Sequence, residues 1–310
     1  MRSRYGRRPG YRRTRRTYRR SGRYGRKSRS TTSTRGRRTY RTRFTRKRIL
    51  NLTSRKKSDT MAPNTSYPTV TVPGAVGPAV IQSGPGVYSS IWCATARPLR
   101  EIFVNDRGEV TAGRNSRTCF IRGLKEGVSY VTNDGEPWRH RQIIFTAKGD
   151  LPLGEEFEGD RTISAFTTSD GRETFFRGLA NLPDESRTPL VALLFKGNGN
   201  TGAGIQDWTD LLMAPVDKTR FKVLNDIIVD IRSGNDTGTI KTQKRWTPVN
   251  KNLVYGDEEI GNQMFSSYKS TTGKPGIGDI YVFDMFASLT NVAGSELLYS
   301  PTTTLYWHEK

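Results

Sequence analysis

FKVLNDIIVDI (221–231), the turn-rich RSGNDTG (232–238) and TIKTQKRW (239–246) make up the stretch whose reading decides the fold. Val, Ile, Thr and aromatic residues are enriched in strands because they fill a pleated, half-buried surface. A Gly/Asn/Asp/Ser cluster between two such runs marks the turn joining them. In the second run Ile240, Thr242 and Trp246 share one face and Lys241, Gln243 and Arg245 the other, the alternation of a strand with one wet side.

Outward from this pair the same pattern recurs at YSSIWCATA (88–96), REIFVN (100–105), RTCFIR (117–122), RQIIFTA (141–147), RTISAFT (161–167), PLVALLF (189–195), DIYVFDMF (279–286) and TTTLYWHE (302–309). The more continuously apolar of these runs are expected to lie between two sheets. One segment reads as helical, DWTDLLMAP (207–215), with Asp207 to cap it and Pro215 to stop it. Regular βα alternation is missing, which disfavours a parallel sheet. Eight to ten strands with long loops predict an all-β fold, an eight-stranded jelly-roll sandwich of the viral-capsid type.

Charge divides the 310-residue chain. Of its 51 Lys+Arg, 25 fall in residues 1–57, where no Asp or Glu occurs; the other 26 face all 29 acids, leaving the rest of the chain at −3. The basic arm has almost no aliphatic residue before Ile49, so it cannot bury enough surface to offset the entropy of ordering, and it is expected to be disordered. The predicted organisation is an Arg-rich arm at 1–57, a linker at 58–86 punctuated by Pro63, Pro68, Pro73, Pro78 and Pro85, and a shell domain at 87–310.

A polymer of such charge calls for a polyanion as partner. Arg12 and Arg13, Arg15 and Arg16, Arg19 and Arg20, and Arg37 and Arg38 alternate with Tyr5, Tyr11, Tyr18, Tyr24, Tyr40 and Phe44. Guanidinium forks grip phosphates, and tyrosine faces accept unpaired bases at about 1–3 kcal/mol each, a combination that favours single strands without selecting a sequence. The arm lacks the apolar face that a bilayer would need, so no membrane partner is expected. Two tighter clusters, Arg46-Lys47-Arg48 and Arg55-Lys56-Lys57, match the composition of nuclear-import signals. Lys244, Arg245 and Trp246 form a further candidate nucleic-acid contact, set against the blander reading of a strand edge with one buried tryptophan.

Other motifs point away from catalysis and cofactors. GNGNTG (197–202) imitates a dinucleotide loop, yet the chain runs on to Asp207 before the expected helix, and no second βα unit flanks it. TTGKPG (271–276) has Pro275 where a phosphate loop needs Ser or Thr. Glu155, Glu156, Glu158 and Asp160 read as a solvated acidic loop rather than a cation site. His140 and His308 stand apart from any zinc or nucleophile motif. Cys93 and Cys119 read as small buried hydrophobes. No apolar run follows Met1 and no stretch of 18 apolar residues occurs, which argues against a secretory signal and a membrane span, and leaves Asn51, Asn64 and Asn235 as formal glycosylation sequons only.

KRILNLTSRKKSDTM (47–61), YSSIWCATARPLR (88–100), EPWRHRQIIF (136–145), FKVLNDIIVDIRSGN (221–235), KRWTPVNKNLVYGDEE (244–259) and TLYWHEK (304–310) together resemble coat proteins of genomoviruses, the gemycircularvirus-like group of circular, Rep-encoding single-stranded DNA viruses. The resemblance is weakest over 148–220. It implies a jelly-roll subunit that assembles with copies of itself into a small icosahedral shell and an arm turned onto a single-stranded DNA genome. It also implies an import receptor as partner, assembly in the host nucleus, a place in the virion, and no catalytic residues. About 60 copies would bring on the order of 1,500 arm charges, enough for a genome of one to a few thousand nucleotides. The competing readings are a cellular nucleic-acid binder of ribosomal or chromatin type with a basic tail and, with less support, a nucleic-acid-processing enzyme.

Overall fold

The computed structural model describes residues 45–66, 75–99, 113–153, 162–167, 173–199 and 205–310. Eight principal strands carry the fold: β1 (Arg55–Met61), β2 (Tyr88–Cys93), β3 (Thr118–Thr132), β4 (Trp138–Ala147), β5 (Lys222–Ile231), β6 (Ile240–Val254), β7 (Asp279–Ser288) and β8 (Glu296–Glu309). They build two antiparallel sheets, one in the order β1-β8-β3-β6 and the other β5-β4-β7-β2, with a short strand, Ala79–Gln82, added to β8. The chain alternates between the sheets at nearly every connection, and this order is that of an eight-stranded jelly roll.

Long strands hold the first sheet together. β3 pairs along almost its whole length with β6 on one side and β8 on the other, from Ile240↔Val131 to Val254↔Thr118 and from Leu297↔Thr132 to His308↔Phe120. Two apolar clusters fill the space between the sheets, one around Trp92, Leu124, Ile144, Val282 and Trp307, the other around Val128, Trp138, Ile231, Phe286 and Leu297.

A third cluster lies on the opposite face of the second sheet, where Ile91, Ile143, Phe145, Tyr281 and Phe283 meet helix α2 (Asp184–Leu194) through Leu190, Val191 and Leu194. β4 and β7 are therefore covered on both faces, and their near-continuous apolar runs follow from being central strands under a helical layer rather than from the sandwich interior alone.

The helix corrects the reading of PLVALLF (189–195) as a strand. An apolar run of this length fits a buried helix as well as a strand, and Pro189 inside the helix obscures its signature. Asp184 and Glu185 in the first turn favour the positive end of the helix dipole. Conversely, 207–215 forms turns, not a helix. Asp207 accepts the Asn198 backbone N–H at 2.7 Å, and the Trp208 indole N–H reaches the Lys196 carbonyl at 3.0 Å, so both side chains serve the loop that precedes them. The strand expected at 100–105 lies outside the described residues.

The sheet begins earlier than the expected boundaries at 57 and 86. Residues 46–53 form helix α1 (Arg46–Thr53), and β1 follows inside the basic run, pairing Arg55↔Glu309 through Met61↔Thr303. Polar partners replace hydrophobic alternation on this edge strand. Inward-facing Lys57 and Asp59 meet Glu309 and Arg97, and only Met61 enters the apolar core.

Candidate nucleic-acid interface

The arginine pairs at 12–13, 15–16, 19–20 and 37–38 lie outside the described residues, as does the acidic loop at 155–160. Of the two import-type clusters, Arg46, Lys47 and Arg48 belong to α1, with Arg48 exposed. In β1, Arg55 and Lys56 are exposed, but Lys57 turns inward. Its ammonium pairs with Glu309 Oε2 at 3.0 Å and donates to the Gly113 carbonyl at 2.6 Å, leaving the side chain 6% exposed.

The candidate trio on β6 divides between the two faces of its strand. Arg245 lies opposite the buried Glu126 and Trp246 opposite the exposed Lys125, so the register sends the guanidinium inward and the indole outward. Trp246 is 47% exposed and Ile240 74%. This departs from the blander reading of a strand edge with one buried tryptophan. Polar partners across the sandwich decide the matter, because the Arg245 guanidinium finds the Tyr130 hydroxyl and the Gln142 and Gln243 side-chain carbonyls inside. A lone tryptophan offers no sequence signal of this orientation.

On the outward face of the first sheet the strands form cross-strand rows. Lys56 lies beside His308, and His308 beside Phe120; Thr60 lies beside Thr304, then Lys125, then Trp246; Thr302 lies beside Gly127, then Lys244. Trp246 and Tyr306 meet edge-to-face at 5.8 Å, and Phe120 and His308 lie 6.0 Å apart. Gly123 permits this packing, since a Cβ there would come within 2.8 Å of the Trp246 ring. Burial first, then the charges of Arg122 and Lys56, push the His308 pKa down, a sign that the surface is electropositive. Phe120, Arg122, Lys125 and Tyr306 were not singled out in the sequence, and His308 only as a histidine outside any zinc or nucleophile motif, because they come together only through pairing of strands more than a hundred residues apart.

Inside the sandwich, a polar belt separates the two apolar clusters. The Arg177 guanidinium pairs with Glu126 and with Asp284, the latter at 2.8 Å, and donates to the Tyr299 hydroxyl at 3.1 Å. Arg245 donates to the Tyr130 hydroxyl at 2.7 Å and to Gln142 at 3.2 Å. His140 sits between Tyr130, 2.7 Å from Nδ1, and Asp284, 2.9 Å from Nε2.

One guanidinium group thus holds both carboxylates, a second is held by hydroxyl and amide groups, and the imidazole completes the belt as a neutral group. Burial pushes the His140 pKa down against the opposing pull of Asp284. Nε2–H then donates to Asp284, and Nδ1 accepts from Tyr130. Burial alone would raise the Asp284 pKa, but Arg177 and the His140 hydrogen bond hold it well below the usual carboxylate range. Glu126 Oε2 and Arg177 Nε have no hydrogen-bond partner, so even this belt is incompletely satisfied.

Both cysteines are buried, and burial followed by the Glu309 charge pushes the Cys119 thiol up to about 12. Among the described residues no group of three His, Cys, Asp or Glu side chains is placed to hold a metal ion, and no helix is long and apolar enough to cross a membrane.

No protein-family profile matches the chain, and no curated protein matches it. Among solved structures, the chain is similar to the unassembled VP1 pentamer of KI polyomavirus at 9% identity, over 84% of this chain and 95% of that one, with a TM-score of 0.13. The unassembled VP1 pentamer of Merkel cell polyomavirus follows at 8% identity, 82% and 93% coverage and a TM-score of 0.10. Likeness at this level carries no weight, and the fold assignment rests on the strand order itself.

Proposed function

We propose that this chain is the coat protein of a small single-stranded DNA virus. In this reading the jelly roll assembles with copies of itself into an icosahedral shell, the Arg-rich arm condenses the genome, and the basic segment at 46–57 serves nuclear import. The observation that carries it is the joining of an eight-stranded jelly roll to a leading segment that holds 25 basic residues and no acid before Asp59. The sequence resemblance to genomovirus coat proteins supports the type of virus.

The full-length chain is expected to form uniform spheres by negative-stain microscopy and sedimentation. Only monomers at high concentration, with and without single-stranded DNA, would overturn the proposal and favour a cellular nucleic-acid binder.

A further inference from the structure

The outward face of the first sheet is built differently from an ordinary solvated sheet surface. It gathers four cations, Lys56 from β1, Arg122 and Lys125 from β3 and Lys244 from β6, while the carboxylates of the sheet's strands at Asp59, Glu126 and Glu309 all turn to the interior or onto buried partners. Glu296, at the far end of β8, is the one acid whose position in the alternation points it to this side.

Between the cations stand aromatic rings that are only partly covered. Trp246 lies over Gly123 and against Tyr306, on rows about 6.8 Å apart along the strand. Thr302 and Thr304 on β8 and Ser58 and Thr60 on β1 add a band of hydroxyl donors beside them. Isolated exposed lysines call for no explanation, but cations alternating with stacking rings and hydroxyls are the arrangement that grips an unpaired polynucleotide. A duplex hides its base faces and would leave the rings unused. A second copy of the chain presenting the same face would set like charges against one another, with Glu296 at the far end of β8 the one carboxylate on these strands to offset them.

We propose that this face is a folded binding site for single-stranded DNA, in which bases stack on Trp246 and Tyr306 and phosphates pair with Lys56, Arg122, Lys125 and Lys244. The site is distinct from the arm and rests on the coat-protein reading only for the identity of the polyanion. The arm neutralises phosphate wherever it meets it, whereas this surface holds a short stretch of strand in a fixed place on each subunit.

The test uses the full-length chain with oligo-dT of about 20 nucleotides. Ultraviolet crosslinking and peptide mapping should find adducts on the peptides holding Trp246 and Tyr306. Binding should also quench a tryptophan signal that Trp246→Phe removes and Trp208→Phe leaves in place, since Trp92, Trp138 and Trp307 are buried and Trp208 is half-buried against Phe195. Trp246→Ala should weaken binding about tenfold through loss of one stacked base. Lys125→Gln with Lys244→Gln should lower the slope of log affinity against log salt by about 1.4. A duplex of the same length should give neither adduct nor quenching.

Adducts confined to residues 1–45, with Trp246 emission unchanged, would overturn the proposal. So would a Trp246 shift that appears on raising protein concentration without DNA, because a second copy would then own the face. Particles that package DNA without these adducts sink this inference and leave the coat reading standing; adducts at Trp246 in a chain that never forms particles do the reverse.

Discussion

Replacing Arg177 by Met would leave Glu126 and Asp284 facing each other in the dry centre of the sandwich. Arg177 is fully buried and ties both carboxylates, together with the Tyr299 and Thr303 hydroxyls, into one cluster. Breaking a buried ion pair by removing one partner costs about 3–5 kcal/mol, because the remaining charge is uncompensated. That is a large share of a typical total stability of roughly 5–15 kcal/mol. For a β domain of this size it corresponds to a fall in Tm on the order of 10 °C.

The loss should depend on pH in a definite direction. Without the guanidinium, burial and mutual repulsion raise the carboxylate pKa values, and Asp284 favours a protonated His140. Proton uptake then replaces the missing charge, so the deficit of Arg177→Met relative to the parent should shrink between pH 7 and pH 5. Urea unfolding at several pH values, monitored by tryptophan fluorescence, measures it. A variant within about 1 kcal/mol of the parent, or a deficit that grows as the pH falls, would refute the role given to the belt.

Further tests address other parts of the molecule. His140 is neutral when folded and has a lowered pKa, so below about pH 6.5 the unfolded chain binds more protons than the folded one. Parent stability should therefore decline as pH drops through that value, by at most about 1.4 kcal/mol per pH unit from this residue, and His140→Gln should flatten the decline in pH-resolved denaturation. Leu190→Ala, at a fully buried position of α2, should cost about 2–5 kcal/mol in chemical denaturation, and a cost below about 1 kcal/mol would refute the packing of α2 on the second sheet. Deleting residues 2–45 should leave shell formation intact and abolish packaging; a nucleic-acid absorbance ratio unchanged in gradient-purified particles would show that the arm is dispensable. Lys57→Gln should lower the melting temperature by breaking the pair with Glu309, while Lys56→Gln, on the exposed side of β1, should leave it unchanged.

The sequence by itself determined the class of fold and the division of charge. Turn clusters spaced between β-branched runs force strands, and a leading segment with almost no aliphatic residue before Ile49 has little to bury. It could not determine which face of a strand turns inward where polar residues line both sides. At 240–246 the alternation was legible, but its sense was not, because the inward choice of Arg245 depends on Tyr130 and Gln142 across two sheets. The same limit hid β1, whose core-facing Lys57 and Asp59 read as solvated charges until Glu309 and Arg97 stood opposite them. It also left PLVALLF undecided between strand and helix, since an apolar run too short to show its period takes its form from the surface that covers it. Local composition is a property of neighbours in the chain, whereas the polar belt and the basic aromatic face exist only where strands distant in sequence are brought side by side.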